Sequence, residues 1–358
     1  MRLLTASKQP NGASNKTVQK KPMTALRLQR IAGLVLALFL LVVVVFLSLM
    51  IGSKPLSMNV VWDALFSSDS NSYDYAIIHE SRLPRTIIAL AVGPAFGLAG
   101  AVIQALTRNP LADPGILGVN AGAAFAVALA VGIFSMTSMS SYIWFALAGA
   151  LITTIAIYFI GAGAGRKSPT PEQITLAGVA MAAALNGITT ALSLIDSRAF
   201  AGLLSWRVGS IARKGLEDLG TITPFLVVGT LLAFMIAPAL NTIAFGDDRA
   251  SSLGVNVNLT RILGLISITL LAGGATAIAG PIVFLGLMVP HLVRWFIGPD
   301  QPWIFLYSLV IAPLILLLSD IIGRVVISPG EIPVGIITGF VGAPILLILM
   351  RRRKTIGL

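Results

Sequence analysis

The chain has 358 residues, of which 56% are hydrophobic and 11% charged, with a mean hydropathy of +0.92 and a formal net charge of +11. A soluble domain carries roughly 25% charged residues, so this composition excludes an ordinary soluble globule and indicates a chain that crosses a membrane several times. The absence of cysteine and the presence of only two histidines, His79 and His291, exclude disulfides and thiolate sites and leave too few imidazoles for a zinc or haem ligand set, so neither metal nor cofactor is expected.

Met1–Arg30 is polar and basic and reads as a disordered cytoplasmic tail. Ile31–Ile51 is the first predicted span, and Gly52–Glu80 is a polar, partly helical loop. From Thr86 to Thr107 no charge interrupts the chain, which suits a second span, since crossing needs ~20 apolar residues. Gly93, Pro94, Gly97, Gly100 and Ala101 crowd its middle. Gly93 and Gly97 have the small-xxx-small spacing that lets helix backbones approach in lipid, so this span is expected among other helices. Arg108–Pro114 then breaks the chain with two prolines and several polar groups, as suits irregular backbone lining a cavity or mouth.

The uncharged stretch from Asp113 to Arg166 divides at Ser135–Ser141 into spans three and four. A turn over Gly161–Pro171 leads to span five, Glu172–Ile195, and then to a polar segment, Asp196–Leu219. Span six is Thr221–Leu240, followed by the loop Asn241–Asn258. Gly280-Pro281 separates spans seven and eight, while Pro302–Asp320 and Ile332–Met350 give spans nine and ten before a short basic tail over 352–358. The expectation is an all-α polytopic protein of about ten spans, its permease domain covering 31–351. With both termini cytoplasmic, the inner segments hold 17 Lys and Arg against 5 Asp and Glu, and the outer segments 8 against 9. This is the positive-inside bias, and it accounts for the basic excess without a nucleic-acid partner. One segment opposes the assignment: Ser197–Gly220, placed outside, carries Arg198, Arg207, Arg213 and Lys214.

Two stretches, Ser81–Thr86 (SRLPRT) and Gly97–Ala123 (GLAGAVIQALTRNPLADPGILGVNAGA), carry a family signature. So do Trp206–Ser210, Gly246–Val255, Gly280–Gly286, Val289–Arg294 and Gly330–Gly335 with Gly342-Ala343-Pro344. In these motifs the chain resembles the type II permease subunits of ABC importers for ferric siderophores, haem and cobalamin. The resemblance implies a bacterial cytoplasmic-membrane protein that moves a substrate, first of all a ferric siderophore, without being an enzyme itself. It also implies ABC ATPase subunits, an extracytoplasmic binding protein and a second permease, identical or homologous, as partners beside membrane lipid. Haem or cobalamin is the alternative cargo within the family. An ion-coupled secondary transporter is the alternative outside it.

The chain has no Walker A loop, so it lacks that route to ATP hydrolysis. Asp113, Glu172, Asp196, Asp320 and Glu331 fall at predicted span ends, whereas a proton- or sodium-coupled carrier would place ionisable groups near the midplane. By resemblance, Asn109, Pro110 and Leu111 contribute to a cytoplasmic gate, and Ser168 and Thr170 occupy the turn of a second gate element. Gly246, Asp247, Asp248, Ala250, Leu253 and Gly254 match the helix that docks on the ATPase. Arg82, Arg85 and Arg324 match a docking surface for the binding protein. Alternatively they anchor helix ends at the headgroups, and Arg324 pairs with Asp320 one turn earlier. The polar residues of Asn186–Ser193 line a pathway or make interhelical hydrogen bonds.

Overall fold

The computed structural model describes residues 23–66, 72–136, 139–162, 170–195, 206–212 and 214–352. These form helices α1 (Met23–Met50), α2 (Met58–Phe66), α3 (Tyr73–Ala76), α4 (Leu83–Thr107), α5 (Val119–Gly132), α6 (Met139–Ala162) and α7 (Pro171–Ile195). They continue as α8 (Leu216–Ile243), α9 (Asp247–Ser252), α10 (Val257–Ala279), α11 (Leu285–Ile297), α12 (Gln301–Val325) and α13 (Val334–Arg352). Seven helices are long and apolar enough to cross a membrane, and Val119–Gly132, Leu285–Ile297 and Val334–Ile348 are shorter apolar segments. Together they account for the ten expected spans.

The chain enters α4 through Tyr73–Ala76 and a π-helical turn over Ile77–Arg82. Ser72 starts this run by accepting a hydrogen bond from the Tyr75 amide at 3.1 Å. At the other end Arg108 takes left-handed backbone (φ 51°) and closes α4 through its amide to the Ala105 carbonyl. Pro110 follows and cannot continue a helix. Asp113 then opens the short 3₁₀ turn Pro114–Leu117 by accepting the Gly115 amide at 2.8 Å.

The most hydrophobic 18-residue stretch of α4 is 78% buried and that of α10 72%, against 22% for α1 and α7. Lipid tails are as apolar as leucine, so helices in a bilayer gain from close backbone packing rather than from leaving water. The small residues of α4 supply that closeness. A side chain at Gly100 would overlap the Gly286 carbonyl on α11, and one at Gly93 would meet the Pro313 backbone of α12 at 2.6 Å. Gly122 and Gly149 let α5 and α6 touch in the same way. The outer surfaces of α1, α7 and α8 keep exposed Leu, Val, Ile and Phe side chains, as lipid-facing helices do.

One expected boundary moves. The first helix begins at Met23 rather than Ile31, and Arg30 is inside it. Arg30 donates to Asp300 Oδ2 at 3.1 Å and to the Ile297 carbonyl at 2.9 Å, while Tyr307 donates to the Arg30 carbonyl at 2.7 Å. These partners on distant segments extend the helix through a stretch that composition alone marks as tail. The remainder of that tail, 1–22, lies outside the described residues, as do 353–358. The described part of the polar segment after span five also has a definite place. Ser210 donates to the Ala279 carbonyl at 2.7 Å and Gly335 to the Gly209 carbonyl at 3.0 Å. Residues 206–212 therefore lie with the end of α10 and the start of α13.

Gly100→Val should destabilise the detergent-solubilised protein by about 3 kcal/mol, because the added side chain overpacks a backbone contact. Gly220→Ala, whose new methyl meets nothing within 4 Å, should leave the thermal midpoint unchanged or slightly raised. Equal midpoints for the two variants would contradict this packing.

Candidate functional site: the two ends of α4

At ~1.5 Å per residue, the 25 residues of α4 separate two polar clusters of different character. At its start, Arg85 donates from Nε to Asp320 Oδ1 at 2.8 Å and from Nη1 to Glu331 Oε2 at 2.9 Å. Arg324 pairs with Asp320 Oδ2 at 3.0 Å and donates to the Ser48 carbonyl and hydroxyl, each at 2.8 Å. Arg82 donates to the carbonyls of Leu49, Met50 and Lys54. This ties the segment after α1 to the head of α4. Thr86 links the groups by donating to the Arg82 carbonyl at 2.8 Å and sharing a 2.9 Å hydrogen bond with Ser48.

The three guanidinium groups expected on an outer surface thus converge at one end, but they point inward. Arg82, Arg85 and Arg324 are 4%, 5% and 2% exposed. A charge in an apolar bundle is costly unless paired, and here each finds carboxylates or carbonyls. The i, i+4 pairing of Arg324 with Asp320 was legible in the sequence; the partners of Arg82, and Glu331 as a partner of Arg85, were missed. A backbone carbonyl leaves no mark in a sequence, and Glu331 lies 246 positions from Arg85.

At the far end of α4, residues 108–118 fold through local turns. Asn109 accepts the Leu111 amide on its side-chain oxygen at 2.9 Å, and Ala112 donates to the Asn109 carbonyl at 3.1 Å. Asn109 and Leu111 remain exposed, and Pro110 is half-buried. Burial pushes the Asp113 carboxyl above its ordinary range, opposed by the Gly115 amide. Thr170, exposed, caps α7 reciprocally with Gln173: the Thr170 amide donates to Gln173 Oε1 at 3.0 Å, and the Gln173 amide to Thr170 Oγ1 at 3.4 Å. Such a box satisfies two helix-end donors. Ser168 lies outside the described residues.

Helix α9 sits at the same end. Gly246 (φ 105°) and Gly254 (φ 84°) flank it in backbone that side chains disfavour. Ala250 is buried beneath it, whereas Asp248, Arg249, Ser251, Ser252 and Leu253 face outward, and Phe245 and Leu253 are about 70% exposed. Asp247 is held from below: Arg261 of α10 reaches its Oδ2 at 2.6 Å, and Arg108 lies 3.5 Å from its Oδ1. The fold therefore brings Asn109–Leu111, Thr170 and α9 to one end and the three arginines to the other. The hydroxyls of α7 bond within their own helix rather than across helices. Thr189, Thr190 and Ser193 donate to the Leu185, Asn186 and Thr189 carbonyls of their own helix.

Among the described residues there is no cluster of His, Cys, Asp or Glu able to hold a metal. Ten apolar helices among the described residues, with folded polar loops at both ends of the most buried of them, make the architecture of a membrane permease. The chain belongs to the FecCD transport family, whose model matches residues 40–352. It is similar to the ferric enterobactin transport system permease protein FepD of Escherichia coli, with 45% identity over 322 residues, 89% of this chain and 95% of that protein. It is also similar to the siderophore transport system permease protein YfiZ of Bacillus subtilis, 36% identical over 319 residues, 89% of this chain and 95% of that one. A solved inward-facing metal-chelate type ABC transporter superposes with a TM-score of 0.77 at 26% identity, covering 90% of this chain and 98% of its own.

Asp320→Ala should destabilise the protein by about 3–5 kcal/mol, since it leaves two buried guanidinium groups without their shared carboxylate. Glu331→Gln, at a side chain 38% exposed, should cost under about 1 kcal/mol. Thermal unfolding in detergent separates the two, and comparable losses would contradict the division into dry and wet partners.

Proposed function

We propose that this chain is the membrane-spanning permease subunit of a binding-protein-dependent ABC importer that carries a ferric siderophore across the bacterial cytoplasmic membrane. It acts with ABC ATPases that hydrolyse the nucleotide, an extracytoplasmic binding protein and a second permease subunit, and performs no covalent chemistry itself. The observation that carries this reading is α9. It is a short helix on glycine pivots with Phe245 and Leu253 bared to water, in a chain 45% identical over most of its length to a ferric enterobactin permease. Two large apolar side chains exposed on a polar loop suit a surface that a partner covers. In this reading the α9 end and both termini are cytoplasmic, with Asn109, Pro110, Leu111, Ser168 and Thr170 at the inner gate. Asp320 is the most buried carboxylate of the spans, and it is already occupied by Arg85 and Arg324, which speaks against ion coupling through it.

The binding protein is placed at the opposite end, over Arg82, Arg85 and Arg324. Of these, Arg85 is the one suited to recognition, because Glu331 is exposed enough to be exchanged for a partner's carboxylate. Removing the Glu331 charge should then tighten docking.

Three measurements test the reading. Leu253→Asp should strip the ATPase from a purified complex while the permease remains folded; full retention would remove α9 from the interface. The binding protein that co-purifies with the chain should be titrated with ferric enterobactin, haem and cobalamin, and preference for either of the last two would overturn the siderophore assignment. Glu331→Gln should raise the affinity of the permease for that binding protein several-fold, and a lowered affinity would mean that Glu331 itself makes the contact.

A further inference from the structure

Four charged residues from four separate elements meet at the α9 end. Arg108 ends α4 and directly precedes Asn109–Leu111, Asp247 begins α9, and Arg261 lies on α10. Glu172, beside Thr170 at the start of α7, is exposed and lies within electrostatic reach of both arginines. The two sides of Asp247 are not equal. Its Oδ2 is held by Arg261 at 2.6 Å, and the Arg261 side chain is 13% exposed on a helix packed in the core. Its Oδ1 is shielded from solvent and, among the described residues, has no hydrogen-bond partner, with Arg108 Nη2 standing off at 3.5 Å.

A shielded carboxylate oxygen without a hydrogen bond carries a desolvation penalty, and a charged donor at 3.5 Å is just beyond the 2.7–2.9 Å of a closed charge-assisted contact. The contact is therefore open by less than an ångström. Closing it needs only a small displacement of α9, which is flanked by Gly246 and Gly254, relative to the end of α4. Arg108 is 40% exposed, so this pair contributes little to stability. Its value is positional.

We infer that Arg108 is a positioning residue that transmits displacement of α9 to the gate turn Asn109–Leu111, by closing onto Asp247 while Arg261 holds Asp247 to α10. The inference rests on the reading of α9 as the ATPase-docking helix. The carboxylate acts as a shared clasp, with one arm anchored to α10 and the other joined to the gate turn. Because the guanidinium and the Asn109 backbone belong to consecutive residues, pull on one is delivered to the other without an intervening side chain. Glu172 extends the same field to the start of α7, where Thr170 sits.

The chain has no cysteine, so Leu111→Cys gives a single reporter on the gate turn. In the assembled permease–ATPase complex, its rate of labelling by a membrane-impermeant maleimide should differ between the nucleotide-free and the ADP–vanadate-trapped states. Adding Arg108→Gln should shrink that difference about fivefold, the low end of typical coupling between sites, while the ATPase stays bound and hydrolyses ATP at its usual rate. Arg108→Lys should preserve the response, because the contact uses one donor rather than a planar fork. Combining Arg108→Gln with Asp247→Asn should be no worse than the weaker single variant, as for two members of one pair, with the response normalised to bound ATPase. An undiminished response in Arg108→Gln, loss of the ATPase from that variant, or equal loss in Arg108→Lys would each overturn the inference. Failure of the docking reading appears separately, as retention of the ATPase by Leu253→Asp.

Discussion

Helices in lipid are held by how closely their backbones can approach, and in this protein that constraint falls on α4. Gly93, Gly97 and Gly100 present nearly bare backbone to α12 and α11, where Pro313, Ala312 and Gly286 fill the space. Proline within α4 and within α12 is tolerated because neighbouring helices cover the interrupted ladder. Once α4 is seated, its two ends are fixed on opposite sides of the bundle. The candidate site residues gather at those ends: Arg82 and Arg85 with Arg324 of α12 at one, the Asn109–Leu111 turn at the other. The glycines therefore act at a distance, since widening the α4–α11 gap would move both polar clusters together.

The composition of the chain made this arrangement partly readable. Uninterrupted apolar runs marked the spans, and the clustering of Gly93, Gly97 and Gly100 marked the second span as an interior helix, because lipid-facing positions have no use for small residues. The loop around Asp247 was readable as a helix between glycines, and Gly246 and Gly254 do carry the positive φ that only such residues adopt readily. What stayed hidden was direction. Arg82, Arg85 and Arg324 were expected to lie together and they do converge, but a sequence does not show that Arg82 turns toward Leu49, Met50 and Lys54 carbonyls. Nor does it show that Arg85 meets Asp320 across 235 positions. Arg30 is the same lesson in reverse: a basic residue in a polar stretch became helical because Asp300 and Ile297 lie within reach. The hydroxyls of α7 do not bond across helices for a local reason, since Thr and Ser in apolar helices readily bond the carbonyl four residues back.

The two polar clusters use similar chemistry in different media, and the medium decides what each can do. Around Asp320 the partners are almost wholly buried, and a carboxylate shared by two guanidinium groups is then surrounded by low dielectric. Removing one member of such a group costs on the order of 3–5 kcal/mol, so thermal motion rarely opens it. Around Asp247, by contrast, the Arg108 partner and the carboxylate itself are more than a third exposed. Water competes for both, and the net worth of such a pair falls to about 0–1 kcal/mol.

A protein that must bind partners on two faces and pass motion between them benefits from this asymmetry. The dry end is stiff, because Arg85 locks α4 to α12 through Asp320, Arg324 locks α12 to the end of α1, and Arg82 ties the head of α4 to the end of α1 and the segment after it. The wet end is held by pairs worth little, so a small displacement there costs little. The end where the loops are short and glycine-flanked is therefore the softer one, while the helices above it are held by close packing. Bistable behaviour in a packed bundle requires this separation of stiff and soft regions, since close-packed interiors shift between discrete arrangements rather than deform continuously. In this chain the separation arises from where the charges are buried, more than from which charges are present.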